Sequence, residues 1–260
     1  MRLDIPPNKP WLRDLAGAWV FYTVFPGIPL IKPRFERIAR FAPLIGIVIG
    51  LIESCLWIAL TQNRWNTEAI ALLTMAIGIW ITGGLHFDGV MDTFDGIGAG
   101  KNRSKEAMKD SRVGASGVQA MSLIIFIQLA SLIKLDSLAP IAIPIATFWS
   151  RCSPLWAIDR FSYLHQDVST SFHNLHWKKW KEIKPSLLII SISISILAII
   201  EITIIDKISL SIGILIGIIP ALMVPNWLGK KLGGHSGDTY GACVVLVETF
   251  MLLFLAIAWS

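Results

Sequence analysis

Three aspartates in one short segment, Asp88, Asp92 and Asp95, stand at i, i+4 and i+7. On a helix, at 100° per residue, this spacing puts them within about 60° of one another on one face. Carboxylates so crowded repel each other, and a hard divalent cation with a preference for oxygen ligands removes that penalty. Mg²⁺ is the expected ion, with Mn²⁺ as an alternative. Such an ion neutralises pyrophosphate oxygens and orients an in-line displacement at phosphorus. The competing reading is a solvated acidic face. It is disfavoured because the segment has no basic partner at helical spacing and is flanked by Gly83, Gly84 and Gly96.

His86 precedes the first aspartate by two residues and points away from the cluster on a continuous helix. It reaches the site only if the helix begins at Phe87. Downstream runs Lys109-Asp110-Ser111-Arg112-Val113-Gly114-Ala115-Ser116-Gly117. Arg112 has the planar fork that grips phosphate. The glycines let backbone N–H groups approach an anion at a helix start. Asp110 either caps that helix or adds a ligand. A third segment, Gly233-Gly234-His235-Ser236-Gly237-Asp238-Thr239-Tyr240-Gly241-Ala242, is again glycine-rich and acidic. Asp238 completes a metal shell, binds a substrate hydroxyl, or caps a helix. Glu53, Arg151 and Glu248 fall inside apolar runs. Ionisable groups are costly there and face a polar cavity or one another. Arg151 is a candidate for a substrate phosphate, Glu248 lies nearly three helical turns beyond Asp238, and Glu53 has Arg151 or Lys134 as its simplest partner.

The elements that position these groups are membrane helices. Of 260 residues, 54% are hydrophobic and 16% charged, against about 25% charged in soluble domains. Apolar runs of bilayer-spanning length lie near 41–61, 69–86, 115–135, 138–158, 186–205, 208–228 and 241–259. The expectation is an all-α polytopic bundle of about seven transmembrane helices forming a single membrane-embedded domain over 1–260. The apolar stretch 15–31 is interrupted by Pro26, Gly27 and Pro29 and reads as an interfacial or re-entrant element. Cys55, Cys152 and Cys243 are far apart in apolar runs and read as small buried hydrophobes, with neither a disulfide framework nor a zinc site. No cleavable signal peptide is apparent, since the first ten residues are polar and proline-rich.

Basic residues orient the bundle. With seven spans, alternate connections hold 19 Lys and Arg against two. The rich set is 1–40, 87–114, 159–185 and 229–240, and the positive-inside rule puts it in the cytoplasm. The net charge of +5 is then mainly a topology signal. No basic face on a folded polar module suggests nucleic acid. The cytoplasmic lysines and arginines also suit anionic substrates or lipid head groups.

Taken in order, these motifs resemble the cobalamin synthase family, the adenosylcobinamide-GDP ribazoletransferases. The matching residues are Gly83-Gly84-Leu85-His86-x-Asp88-Gly89-x-x-Asp92-x-x-Asp95-Gly96, Met108-Lys109-Asp110-Ser111-Arg112-x-Gly114, and Gly233-Gly234-x-x-Gly237-Asp238-x-x-Gly241-Ala242 with Glu248. Pro43 to Gly50 and Arg151 fit as well, and the similarity runs from about Phe21 to Leu255. The chain departs from the family pattern in three places. Thr23 is followed by Val24 rather than arginine, Phe87 stands where an acid is common, and the fourth connection with Trp177, Trp180 and four lysines looks peculiar to it.

The resemblance implies a late step of cobalamin biosynthesis at the bacterial inner membrane. Adenosylcobinamide-GDP and α-ribazole, or its 5′-phosphate, give adenosylcobalamin, or its 5′-phosphate, and GMP. It implies metal ligands Asp88, Asp92 and Asp95, catalytic candidates Asp95, His86 and Asp92, and substrate-binding candidates Asp110, Arg112, Arg151, Asp238 and Glu248. The bilayer is a partner, nucleic acid is not, and homo-oligomerisation stays open. Two related readings are weaker. A CDP-alcohol phosphatidyltransferase shares Asp92-x-x-Asp95-Gly96, but Gly100 stands where its motif needs arginine. An intramembrane prenyltransferase shares Asp88-x-x-x-Asp92 but needs a second acidic pair, where 229–240 offers only Asp238. A transporter with an acidic cation site is a third, and would need neither the loop glycines nor a phosphate-gripping arginine.

Overall fold

The computed structural model of the chain describes residues 9–164, 176–179, 181–192, 213 and 215–259. Its regular elements are helices. They are α1 (Pro10–Tyr22), α2 (Ala42–Gln62), α3 (Thr67–Ile81), α4 (Leu85–Gly98), α5 (Ser104–Ala107), α6 (Ala115–Leu135), α7 (Ala139–Arg160), α8 (Ile218–Leu232) and α9 (Gly237–Ala258). Single 3₁₀ turns at Ala39–Phe41 and Asp136–Leu138 lead into α2 and α7, and residues 181–192 are also helical.

Among the described residues three helical stretches are long and apolar enough to cross a membrane: Ala39–Gln62, Ala115–Arg160 and Gly237–Ala258. The bent pair α3 and α4 makes a fourth if it counts as one span. The all-helical membrane architecture is as expected, but the described residues do not reach seven spans. The expected segments 186–205 and 208–228 lie partly outside them. The 46-residue run Ala115–Arg160 contains two of the expected segments. Asp136, at φ +46°, interrupts it between α6 and α7. The expected span 69–86 is cut short, because α3 ends at Ile81. Gly83 and Gly84 have φ of +60° and +72°, a left-handed conformation that glycine adopts without penalty. The chain turns there by 87° into α4.

α1, at 13 residues, is too short to cross a bilayer core. The chain doubles back along it. The Arg34 N–H donates to the Arg13 carbonyl at 2.9 Å, and the Arg34 carbonyl fills the space a Cβ on Gly17 would need.

Small residues set the packing, as membrane helices require. α2 lies on α7 with Gly46 and Gly50 against Thr147 and Pro144. α9 is the central helix, contacting α4, α6, α7 and α8. Gln128 of α6 donates to Thr249 of α9 at 2.8 Å inside this core. Leu72, Trp80, Leu123, Phe126, Met223 and Ile257 face outward, a surface suited to lipid and unsuited to water. Of the cysteines, Cys243 is buried and Cys152 half-buried, while Cys55 lies on the outer face of α2 rather than inside; all three are free.

Candidate active site

The site is built where α4 crosses the start of α9. A Cβ on Gly89 would collide with the backbone carbonyl of Asp238, and one on Gly241 would come within 3.3 Å of the His86 backbone. The two helices therefore meet backbone to backbone, and Asp238 joins the α4 aspartates. α4 has 14 residues, too few to cross a bilayer core unaided. Its Asp92 carboxyl is pushed up to about 6, first by burial and then by the negative charges of Asp238, Asp88 and Asp95. Neither the Asp88 nor the Asp92 carboxylate has a hydrogen-bond or ion-pair partner among the described residues.

Asp95 is turned toward α6. Its two carboxylate oxygens accept the backbone N–H groups of Gly114 and Gly117, both at 2.7 Å. Cβ atoms at either glycine would run into that carboxylate. An anion does sit at the α6 N-terminus, as the glycines suggested, and it is this chain's own Asp95. Asp110 and Arg112 form a pair with each other on an exposed turn, with the guanidinium 2.7 Å from the carboxylate. The arginine's hydrogen bonds pull the Asp110 carboxyl down to about 2. Asp110 does not cap α6, whose N-cap is Gly114. Neither residue lines the cavity that Asp88 and Asp238 share.

The loop before α9 is tightly braced. Ser236 is the N-cap of α9 in a reciprocal capping box with Thr239, so Asp238 lies in the first turn instead of capping. His235 is fully buried, with Nε2 3.0 Å from the Pro225 carbonyl and Nδ1 3.0 Å from Thr239 Oγ1. A carbonyl only accepts, which assigns the imidazole proton to Nε2. Burial holds this histidine's pKa down at about 4. Its backbone pairs with Ser162 and Leu164 at 3.0 and 2.7 Å.

A cavity of about 150 Å³ collects residues from the first and third motifs and from α7: His86 and Asp88 of α4, Asp238 and Tyr240 of α9, and Arg151 of α7. His86 is buried and lines the same cavity as Asp88, which the continuous-helix expectation had directed away. Arg151 is 6% exposed. Its Nη1 is ion-paired with Glu248 and donates to Ser150 Oγ at 2.8 Å. Glu53 pairs with neither Arg151 nor Lys134; its carboxylate lies where a Cβ on Gly78 would be. A second, smaller cavity of about 40 Å³ shares His86 and Arg151 with it and is lined also by Glu53, Thr74, Gln128 and Glu248.

Sequence reasoning missed the N-terminal contribution. Phe21 and Tyr22 at the end of α1 form part of the cavity wall. Asp14, wholly buried, holds Arg34 and Arg40 at 2.6 and 2.7 Å. Arg37 is ion-paired with Glu182. An acid beside an apolar stretch, followed by arginines spaced by three, was the available signal.

Among the described residues no three His, Cys, Asp or Glu side chains converge tightly enough to hold an ion by themselves. The donor set still fits Mg²⁺. It is all hard oxygen, its members Asp88 and Asp92 are without partners, and Asp238 stands beside them. Mg²⁺ sites are generally completed by waters and substrate phosphate oxygens around one or two carboxylates.

Fold and site together define a helical membrane enzyme with Asp88, Asp238, His86 and Arg151 around one cavity. The chain belongs to the cobalamin-5-phosphate synthase family, whose model matches residues 14–256. The adenosylcobinamide-GDP ribazoletransferase of Prochlorococcus marinus (strain MIT 9303) is 52% identical over 250 residues, covering 95% of this chain and 96% of the relative. That of Trichormus variabilis (strain ATCC 29413 / PCC 7937) is 31% identical over 253 residues, covering 95% and 97%. That of Synechocystis sp. (strain ATCC 27184 / PCC 6803 / Kazusa) is 32% identical over 270 residues, covering 95% and 96%. No solved structure matches the chain.

Proposed function

We propose that this chain joins adenosylcobinamide-GDP to α-ribazole or α-ribazole 5′-phosphate with release of GMP, using the cavity between α4, α7 and α9. The observation that carries this reading is the meeting of Asp88, Asp238, His86 and Arg151 around one cavity in a chain of this family. A ribose hydroxyl oxygen forms a bond to the phosphorus on the corrinoid side chain, the bond from that phosphorus to the GMP oxygen breaks, and the hydroxyl proton leaves. Asp88, Asp92 and Asp238 are the residues to hold Mg²⁺, which when bound neutralises the pyrophosphate. Asp92 either shares in holding the ion or accepts the proton. His86 lines the same cavity wall. Asp95 fixes the α6 N-terminus against α4. Its spare lone pairs leave the ligand or base role open.

The cavity is assigned to the cytoplasmic side of a bacterial inner membrane, in a bundle of seven spans with the N-terminus inside. Two contacts support this. Arg37–Glu182 ties the basic N-terminal segment to the basic 159–185 segment, and the α4–α9 crossing ties 87–114 to 229–240. The basic-poor connections meet through Thr67 Oγ1, which donates to Asp136 at 2.7 Å.

The test is direct. Detergent-purified protein given adenosylcobinamide-GDP, α-ribazole and Mg²⁺ is expected to release GMP and form the joined corrinoid. Absence of both products refutes the reading. A phosphatidyltransferase or prenyltransferase would instead turn over CDP-activated or prenyl-diphosphate donors.

A further inference from the structure

Away from the acids, the outer side of the bundle carries a groove of different character. It opens between α4, α8 and α9 and measures about 440 Å³, within the range of ligand sites, roughly 300–1,000 Å³. Its walls include Phe94 of α4, Pro220, Met223 and Trp227 of α8, and Phe250 and Phe254 of α9, and among the described residues no charged side chain lines it. Met223 is 64% exposed and Trp227 48%, so the groove is open along its length. Phe250 and Phe254 belong to α9, one of the membrane-length helices, which puts this part of the groove at bilayer depth.

The stripe of α8 that lines the groove ends in charge. At 100° per residue, Pro220, Met223, Trp227, Lys230 and Lys231 fall within about 100° of one another, so one face runs from apolar to basic in its last turn. Lys230 and Lys231 are exposed, and neither ammonium has an ion-pair partner among the described residues. From Pro220 to Lys230 the axis rises about 15 Å, half of a hydrocarbon core of about 30 Å and so the depth of one leaflet. Trp227 lies one turn below the lysines, with its ring 6.4 Å from that of Phe94. Tryptophan is at home at the head-group boundary, and lysine stems extend from there to the head groups. We propose that this groove binds one anionic phospholipid, with an acyl chain along Trp227, Met223 and Pro220 and the phosphate-bearing head group between Lys230 and Lys231. Charge decides the occupant. A zwitterionic lipid would fill the apolar part and leave two cations without a net counter-charge. A second copy of this chain, lying the same way up in the membrane, would bring its own Lys230 and Lys231 to the same level, where like charges repel.

Native mass spectrometry of the delipidated, detergent-purified protein reads the site without substrate or turnover. The protein is titrated with phosphatidylglycerol and with phosphatidylcholine of the same acyl chains. Wild type is expected to take up its first phosphatidylglycerol about tenfold more tightly than its first phosphatidylcholine, the order expected for two lysines at a lipid surface. The double variant Lys230→Gln, Lys231→Gln changes only exposed side chains and should bring the two affinities together. Met223→Trp fills the groove and should weaken uptake of both lipids. Equal affinities in wild type overturn the proposal. So does a preference that survives the double lysine variant, which would put the head group elsewhere, or lipid uptake untouched by Met223→Trp. A lipid-free dimer that Met223→Trp dissociates would assign the groove to a second copy and overturn it as well. Because GMP release does not enter the measurement, failure of the reaction assignment would leave the lipid site standing.

Discussion

At the scale of single residues, the four aspartates around the site are not equivalent. The Asp88 and Asp92 carboxylates have no hydrogen-bond or ion-pair partner among the described residues, Asp238 meets them from α9, and Asp95 accepts two backbone N–H groups. Asn substitution should separate them. Asp88→Asn, Asp92→Asn and Asp238→Asn are each expected to lower GMP release on the order of 100-fold, with part of the loss recovered at higher Mg²⁺. Chelation by EDTA should abolish the wild-type activity, and added Mg²⁺ should restore it. Asp95→Asn keeps one acceptor oxygen and loses a charge-assisted hydrogen bond. It should lose about 1.5–3 kcal/mol of stability, read as a lower unfolding temperature, with the Mg²⁺ requirement of its residual activity unchanged. Full activity in Asp88→Asn, Asp92→Asn and Asp238→Asn would sink the metal site. His235 supplies a prediction in pH. Burial lowers its folded-state pKa from 6.5 to about 4. The unfolded chain therefore binds a proton that the folded chain refuses between those values. Its contribution to stability is complete above about 6.5 and is lost as pH falls toward 4. Unfolding temperature followed from pH 7.5 to 4.5 should show this decline, and His235→Gln should flatten it.

At the scale of elements, the crossing of α4 and α9 decides whether the acids can cooperate. Gly89 is in backbone contact with Asp238, so a methyl group there must force the helices apart. Gly89→Ala is expected to cost about 1–3 kcal/mol, as overpacking does, and to reduce GMP release far more than stability, because Asp238 moves off its partners. Circular dichroism should show the helices intact. Activity close to wild type would mean the crossing does not set the site. Here the sequence was partly legible. The glycines of the second motif marked close approach, but they read as places for a substrate phosphate, and those of the first and third motifs were given no partner. In the folded chain Gly89 and Gly241 admit another helix, and Gly114 and Gly117 admit the Asp95 carboxylate. A glycine announces that something comes near, and its own residue type does not say what.

At the scale of the whole molecule, the contacts divide the bundle into a basic end and a plain end. Arg37–Glu182 and the α4–α9 crossing gather the basic segments, and Thr67–Asp136 gathers the others. With Cys55, Cys152 and Cys243 replaced by serine, Asn63→Cys in the connection between α2 and α3 should react with a membrane-impermeant thiol reagent on intact cells. Lys231→Cys, at the end of α8, should react only after permeabilisation. The reverse pattern would invert the orientation and put the site on the wrong side for cytoplasmic nucleotides.

The sequence by itself determined the helical membrane class, because a run of apolar residues of bilayer length is a local property needing no partner. It also determined the acidic segment and the order of the motifs, which sufficed for the family. It did not determine what each charged side chain would meet. Asp88, Asp92 and Asp95 share a helical face by spacing, yet that face looks toward α9 at one end and α6 at the other. Arg112 and Arg151 are alike as residues, but one is held by Asp110 on an exposed turn and the other by Glu248 in the core. Spacing along a helix sets direction, and only the packing of one helix against the next sets the neighbour. The neighbour decides whether a carboxylate caps a helix, pairs with an arginine, or stays free to hold an ion.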